Sequence, residues 1–168
     1  MKHLIFILLT ILDHMHGLKD QTLIETTCKN TPHYQLCIST LHASPSSASS
    51  DVAGLGLIVV DAVKSKAEAA MSAIDELEKL HPDMTRALEN CRNAYNAVLE
   101  ADVPEAVAAL TKGVPKFAES GMVDVAWEAE ICEGGFEEAA AAESPLSGVD
   151  KDLHELAEVA VGIIRNLL

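Results

Sequence analysis

The segment TKGVPKF, from Thr111 to Phe117, decides the fold, because it ends one long helical pattern and begins another. Gly113 is a natural stop for the first helix, since glycine readily adopts the backbone conformation that commonly follows a helix. Pro115 suits the first turn of the next helix, where an N–H group is not needed. The segment therefore predicts the tip of a helical hairpin.

Two cysteines lie at similar distances from this tip. Cys91 is 22 residues before Gly113, and Cys132 is 19 residues after it. At about 1.5 Å per residue, these positions are about 33 and 28 Å from the turn along antiparallel helices. Helix axes about 8 to 10 Å apart then allow a bridge. The geometry predicts a Cys91–Cys132 disulfide, which would stabilise the fold by about 2 to 4 kcal/mol.

Apolar residues recur at helical spacing on both sides of the hairpin. One long helix is predicted over about residues 50–80, and Pro82 starts a new turn. The second helix ends at Gly113 and has a kink at Pro104, the third begins near Pro115, and the fourth is C-terminal. Four helices with one apolar stripe each predict an all-α, up-down-up-down four-helix bundle.

Composition supports this fold class and excludes one class of partner. Of the 168 residues, 49% are hydrophobic but only 4% are aromatic, which favours packed helices in a single domain. The chain has 12 basic and 26 acidic residues, a formal net charge of −14. Nucleic-acid binding is therefore not expected, because it needs a surplus of cations. A basic partner, or a basic patch on one, can approach more easily.

The N-terminus has the features of a secretory leader. A basic start precedes an apolar run from Leu4 to Leu12, whose nine residues cannot span a bilayer. Cleavage is expected near Gly17, and a buried N-terminal helix is the alternative. No membrane association is expected after leader removal. The predicted organisation is a signal peptide at 1–17 and one domain at 18–168, with an N-terminal helical hairpin at 18–45 and the bundle at 50–168.

Cys28 and Cys37 bracket KNTPHYQL, where Thr31–Pro32 has the pattern of an N-cap followed by proline. Two short helices, Leu23 to Cys28 and Pro32 to Leu41, can form a hairpin that a disulfide cross-links at its base. Four cysteines in a secreted chain indicate two disulfides. A zinc site is the alternative, but the sequence lacks a tight Cys-x-x-Cys pair.

No group of residues predicts catalysis. A two-metal bundle needs two Glu-x-x-His motifs, whereas only Glu78 to His81 has this spacing, and Pro82 follows it. Gly54-Leu55-Gly56 lacks the third glycine and the preceding strand of a phosphate loop. Oxidised cysteines would leave no nucleophilic thiol. We therefore expect neither an enzyme nor a bound cofactor or metal.

Four segments, LIETTCKNTPHYQLC, EAVAALTKGVPKFAESGMV, CEGGF and HELAEVAVGIIRNLL, together resemble the plant invertase and pectin methylesterase inhibitor family. The resemblance covers essentially the whole mature chain. It implies a four-helix bundle preceded by a helical hairpin, with disulfides joining the first cysteine to the second and the third to the fourth. Pro115-Lys116-Phe117 resembles the tripeptide of the branch that inhibits invertases.

This resemblance implies a function for the tip. Members of the invertase branch bind cell-wall or vacuolar β-fructofuranosidases and block the substrate cleft with the tripeptide. By the same resemblance, Lys116 would approach the acidic catalytic pocket, Pro115 would fix the backbone and Phe117 would supply apolar contact. We expect a 1:1 complex with acid invertase in the apoplast or vacuole. Inhibition should depend on pH, because protonated carboxylates repel one another less.

Several alternatives stay open. Within the family, the chain could inhibit pectin methylesterase, whose inhibitors use helix faces over a shallow cleft. Outside it, the chain could be a storage or scaffold protein without inhibitory activity, or a bundle that binds a ligand or metal. At the tip, Phe117 could pack into the bundle end and leave Lys116 merely solvated.

Overall fold

The computed structural model describes residues 22–138 and 144–168. The predicted signal peptide at residues 1–17 lies outside the described residues. Within the described ranges the chain is helical and contains no strand, so the all-α prediction is confirmed. The helices are α1 (22–28), α2 (Tyr34–Ala43), α3 (Val52–Leu80), α4 (Thr85–Ala97), α5 (Val103–Thr111), α6 (Pro115–Glu138) and α7 (Ser147–Arg165).

Helices α1 and α2 form the N-terminal hairpin, closed by a Cys28–Cys37 bridge between fully buried residues. The predicted N-cap at Thr31 is wrong, because α2 begins only at Tyr34, after His33. The Thr31 hydroxyl instead donates a 2.8 Å hydrogen bond to the carbonyl of Cys28 at the end of α1. Thr31 therefore ends the first helix of the hairpin rather than starting the second.

A serine-rich segment connects this hairpin to the bundle. Pro45–Ser49 forms a 3₁₀ helix, and the hydroxyl of Ser47 donates to the carbonyl of Ser44 at 2.8 Å. Asp51 then caps α3 by accepting a 2.8 Å hydrogen bond from the backbone N–H of Gly54. Side-chain caps of this kind satisfy the first free backbone donors of a helix.

The second long helix is interrupted where the sequence predicted a kink. Between α4 and α5 the backbone makes a π-helical turn at Val98–Asp102, and Pro104 lies in the first turn of α5. Proline has no N–H to donate to the carbonyl four residues earlier, that of Glu100. The wider turn accommodates this missing hydrogen bond.

The four long units, α3, α4 with α5, α6 and α7, alternate in direction. A small cavity at one end of the bundle is lined by residues from the start of α3, the end of α5, the start of α6 and the segment after α7. These residues are Ala53, Leu110, Gly113, Pro115 and Leu167. The arrangement is consistent with the predicted four-helix bundle, and a buried Cys91–Cys132 disulfide joins α4 to α6.

One polar cluster lies inside the bundle. The hydroxyl of Tyr95 on α4 donates a 2.6 Å hydrogen bond to Oδ1 of Asp150 on α7, and both residues are buried. The charge of Glu133 on α6 also acts on the Asp150 carboxyl group. Burial, followed by the nearby charge of Glu133, raises the pKa of Asp150 to about 7 against the opposing effect of the Tyr95 hydrogen bond. The carboxyl group of Asp150 therefore carries a proton in mildly acidic solution.

None of the helices in the described part of the chain has both the length and the hydropathy that a bilayer span requires.

Candidate functional site

A few backbone hydrogen bonds hold the tip between α5 and α6. The N–H of Val114 donates to the carbonyl of Ala109 at 2.9 Å, and the N–H of Gly113 donates to that of Leu110 at 3.2 Å. Gly113 has a φ of 70°, in the left-handed region that this helix ending requires. Pro115 then starts α6 directly. The turn is therefore only a few residues long and is fixed by its own backbone.

The three residues singled out by the sequence lie together at this end of α6. The side chain of Lys116 is 77% exposed and Phe117 is 59% exposed, whereas Pro115 is partly buried. The alternative in which Phe117 packs into the bundle end is therefore wrong. The tip presents one cation and one aromatic ring to solvent, and the role of these residues as a target contact stays a prediction.

Lys116 has a partner that the sequence reasoning missed. Its Nζ donates a 2.5 Å hydrogen bond to Oε2 of Glu119, one turn further along α6. Arg165, at the end of α7, donates through Nε to Oε1 of the same carboxylate at 2.8 Å. Glu119 is only 6% exposed. The i, i+3 spacing of Lys116 and Glu119 could have predicted this ion pair, because residues three apart are neighbours on a helix surface. No local sequence pattern could have predicted the contact with Arg165, which lies on another helix.

The hydrogen bonds from Lys116 and then from Arg165 lower the pKa of Glu119, against the opposing effect of its burial. The carboxylate therefore stays ionised in acidic solution, where an ordinary glutamate begins to take up protons. The two cations keep their common partner under these conditions.

Positive charge is concentrated at this end of a strongly acidic protein. Lys112, at the end of α5, is exposed beside the turn, and Lys116 and Arg165 share the Glu119 carboxylate. Three cations thus lie at this end of the bundle, whereas the whole chain has a formal net charge of −14. Such a local excess of positive charge favours approach to an acidic cleft.

Within the described residues, the other groups of residues considered from the sequence do not form a site. Among residues 22–138 and 144–168, no three His, Cys, Asp or Glu side chains are arranged to hold a metal ion. Glu78 accepts a 2.8 Å hydrogen bond from Arg92, and His81 follows the last residue of α3. All four cysteines are in disulfides. A groove of about 880 Å³ is lined by α2, α3 and α7 and does not include the tip.

Comparison with protein families gives a match over most of the chain. The family model described as "Plant invertase/pectin methylesterase inhibitor" matches residues 22–163. The chain is 42% identical over 142 residues to an Arabidopsis thaliana protein named "Cell wall / vacuolar inhibitor of fructosidase 1", covering 84% of this chain and 67% of that protein. It is 26% identical to a "Putative invertase inhibitor" of Platanus orientalis, covering 86% of this chain and 89% of that protein.

A solved structure shows the same fold. A crystal structure of a mutant form of a pectin methylesterase inhibitor from Arabidopsis superimposes with a TM-score of 0.71. The match covers 84% of this chain and 95% of that chain at 17% sequence identity. At this identity the likeness concerns the arrangement of helices alone.

Proposed function

This chain belongs to the plant invertase/pectin methylesterase inhibitor family, and we propose that it is a proteinaceous inhibitor of a plant acid invertase, a cell-wall or vacuolar β-fructofuranosidase. The proposal rests above all on the 42% identity, over most of the chain, to a protein named as an inhibitor of fructosidase. The relatives described above are named as inhibitors and not as enzymes. The function is therefore to bind an enzyme and not to catalyse a reaction.

We propose that the tip enters the substrate cleft of the invertase. Glycosidases generally use a pair of carboxylates at the scissile bond, so the cleft is negatively charged. The ammonium of Lys116 is exposed at the apex and can lie against these carboxylates. Phe117 would contact an apolar part of the cleft, and Pro115 would hold the backbone of the first turn. The short turn and the Cys91–Cys132 bridge reduce the entropy lost on binding.

The ion pair between Lys116 and Glu119 is compatible with this mechanism. Lys116 is the exposed partner of this ion pair, so water or an enzyme group can replace Glu119 beside its ammonium. A charge pair buried in a complex can contribute about 1.5 kcal/mol or more. When Lys116 turns towards the enzyme, Arg165 still donates to Glu119, so the buried carboxylate keeps a partner. Glu119 therefore orients Lys116 without holding it tightly.

The proposed complex contains one inhibitor and one enzyme molecule. We further propose that residues 1–17 direct secretion and that the domain at 18–168 acts in the cell wall or the vacuole. The apolar run from Leu4 to Leu12 and the name of the Arabidopsis relative support this destination.

A pectin methylesterase inhibitor is the second candidate function, because the matching family includes both kinds of inhibitor. The two functions make different demands on the molecule. An invertase inhibitor of the proposed kind depends on Lys116, whereas contact through helix faces over a shallow cleft does not.

The experiment is a titration of purified chain against an acid invertase and, in parallel, against a pectin methylesterase at acidic pH. We expect saturable inhibition of the invertase at a 1:1 ratio and little effect on the esterase. Inhibition of the esterase alone would replace the proposed function by the second candidate. No inhibition of either enzyme would contradict both.

A further inference from the structure

Exposed apolar side chains are concentrated on one part of the molecule. Five of the eight large apolar side chains that are exposed in the described ranges lie in the tip or on α6. They are Val114, Phe117, Val123, Trp127 and Ile131, and Trp127 is the most exposed of them at 61%. Single exposed apolar residues are ordinary, whereas a contiguous set marks a contact surface.

Four of these residues follow one side of α6. From Phe117 through Ser120 to Val123, Trp127 and Ile131, the intervals are three, three, four and four residues, so the side chains share a face. We name Phe117, Val123, Trp127 and Ile131 the α6 stripe. Its 14-residue span corresponds to about 21 Å along the helix. A different face of α6 packs into the bundle core and carries Met122, Val125 and Ala129.

A groove of about 340 Å³ lies beside the centre of the stripe. Its apolar lining comes from α6, α7 and the turn of the N-terminal hairpin, with Val123, Ala126, Trp127, Val161 and Pro32. Arg165 also lines this groove, and the same side chain donates to Glu119, the partner of Lys116. The groove and the tip are therefore adjacent parts of one surface.

The tip alone is too small for a stable complex. Specific interfaces bury about 800 Å² on each partner. Pro115, Lys116 and Phe117 can supply at most a few hundred Å², because even a large aromatic side chain buries only about 150 to 250 Å². A stable enzyme complex must cover further surface next to the tip. The α6 stripe is the apolar surface that continues directly from Phe117.

We infer that the α6 stripe and its groove form a second contact with the same invertase, and that Trp127 is its anchoring side chain. This inference rests on the proposed function. Tryptophan is enriched among the few residues that dominate the affinity of interfaces, particularly where it enters an apolar pocket of the partner.

The charges beside the stripe indicate what the enzyme should present. Asp124 and Glu130 are exposed on α6 next to the apolar residues, and Glu158 lines the groove together with His154 and Arg165, so carboxylates outnumber the Arg and Lys side chains here. An acidic partner surface would be repelled by these carboxylates, and a basic one would be attracted. The matching region of the enzyme is therefore an apolar pocket bordered by Lys or Arg, outside the acidic catalytic cleft that receives Lys116.

The test compares Trp127→Ala with a matched control in inhibition of the same acid invertase. We expect the inhibition constant of Trp127→Ala to rise at least tenfold, with the thermal midpoint close to that of the wild type because the side chain lies largely in solvent. Leu80→Ala is the control: Leu80 is 70% exposed and ends α3 at the opposite end of the bundle from the tip. It should inhibit like the wild type.

The outcomes separate this inference from the proposed function. If the wild type inhibits, Lys116→Ala weakens inhibition and Trp127→Ala does not, the second contact is wrong and the tip mechanism stands. If the wild type does not inhibit invertase, the proposed function is wrong and the second contact is wrong with it.

A second measurement does not depend on affinity. Trp127 is the single tryptophan of the chain, so incorporation of 5-fluorotryptophan gives one ¹⁹F resonance. We expect a soluble gadolinium chelate to relax this resonance in the free protein and much less in the invertase complex. Equal relaxation in both states would overturn the inference. So would a dimer of the isolated protein, seen by sedimentation, that Trp127→Ala dissociates.

Discussion

The buried carboxylate of Glu119 accepts a 2.8 Å hydrogen bond from Arg165, which ties the start of α6 to the end of α7. The other oxygen of the same carboxylate accepts from Lys116. The exposed cation at the tip is thus connected to the bundle through one buried group. The apex of the hairpin is a supported structure and not a loose loop.

Lys116→Ala should weaken inhibition of invertase by about 2 kcal/mol, roughly 30-fold, because a charge is lost from the centre of the proposed interface. The thermal midpoint should change little, since the side chain is 77% exposed. Inhibition assays and thermal melts check both. Lys151→Ala is the matched control, because Lys151 is 73% exposed, forms a comparable helical ion pair with Glu155 and lies near the start of α7. Equal inhibition by the wild type and Lys116→Ala would contradict the tip mechanism.

Glu119→Gln should tighten inhibition slightly in the wild-type background, because Lys116 no longer has to leave a carboxylate when it turns towards the enzyme. In the Lys116→Ala background, the same change should have no further effect on inhibition. This double-mutant cycle separates the effect on Lys116 from a general loss of structure. An equal loss of inhibition in both backgrounds would show that Glu119 acts only through stability.

Gly113→Ala should destabilise the protein by about 1 to 2 kcal/mol, because an L side chain is strained at a φ of 70°. A Cβ at this position would have no atom within 4 Å, so the cost is in the backbone and not in a clash. Gly113→Asn should cost less, since asparagine tolerates this conformation better. Urea unfolding measures both variants, and equal stability of Gly113→Ala and wild type would contradict this description of the turn.

The two disulfides should contribute unequally to stability. In the chain-entropy treatment, the Cys91–Cys132 bridge, with a sequence separation of 41, contributes about 4 kcal/mol, whereas Cys28–Cys37, with a separation of 9, contributes about 2.5 kcal/mol. Replacing each pair by serine and comparing urea unfolding tests this order. Removing Cys91–Cys132 should also weaken inhibition, because this bridge holds α4 against α6 behind the tip. The reverse order of stability would contradict the prediction.

Stability should decrease as pH rises from about 4 to about 7. Folding raises the pKa of Asp150 from 3.8 to about 7, chiefly through burial, so the folded chain binds a proton that the unfolded chain has released. This contribution is largest below pH 3.8 and is lost as pH rises through 7. Burial, with the charges of Asp124, Glu128 and Glu105, raises the pKa of Asp102 to about 6 and acts in the same direction.

Thermal melts across this pH range test the contribution of Asp150. Asp150→Asn should flatten the pH dependence, because the amide carries no charge and its oxygen can still accept from Tyr95. Asp83→Asn removes one exposed carboxylate and should leave the slope unchanged. A slope equally steep in Asp150→Asn and wild type would contradict the assignment.

Much of the fold could be predicted because its signals are local. The apolar spacing that predicted a helix over residues 50–80 corresponds to α3 (Val52–Leu80), and Pro115 begins α6 as expected. The exception at Thr31 has a local cause as well: its hydroxyl could satisfy either of two helix ends, and the sequence does not indicate which one. From the sequence, the π-helical turn before Pro104 could be predicted only as a kink.

The sequence by itself determined the helices, the turn at Gly113 and the residues at the apex, because apolar period, glycine and proline act on neighbouring residues of the chain. Only the tertiary structure decided that Arg165 meets Glu119, 46 positions earlier in the chain, and that the face of α6 carrying Trp127 is left uncovered. Helical spacing shows which residues share a face. Whether a neighbour covers that face depends on how all the helices pack, and local sequence does not carry this information.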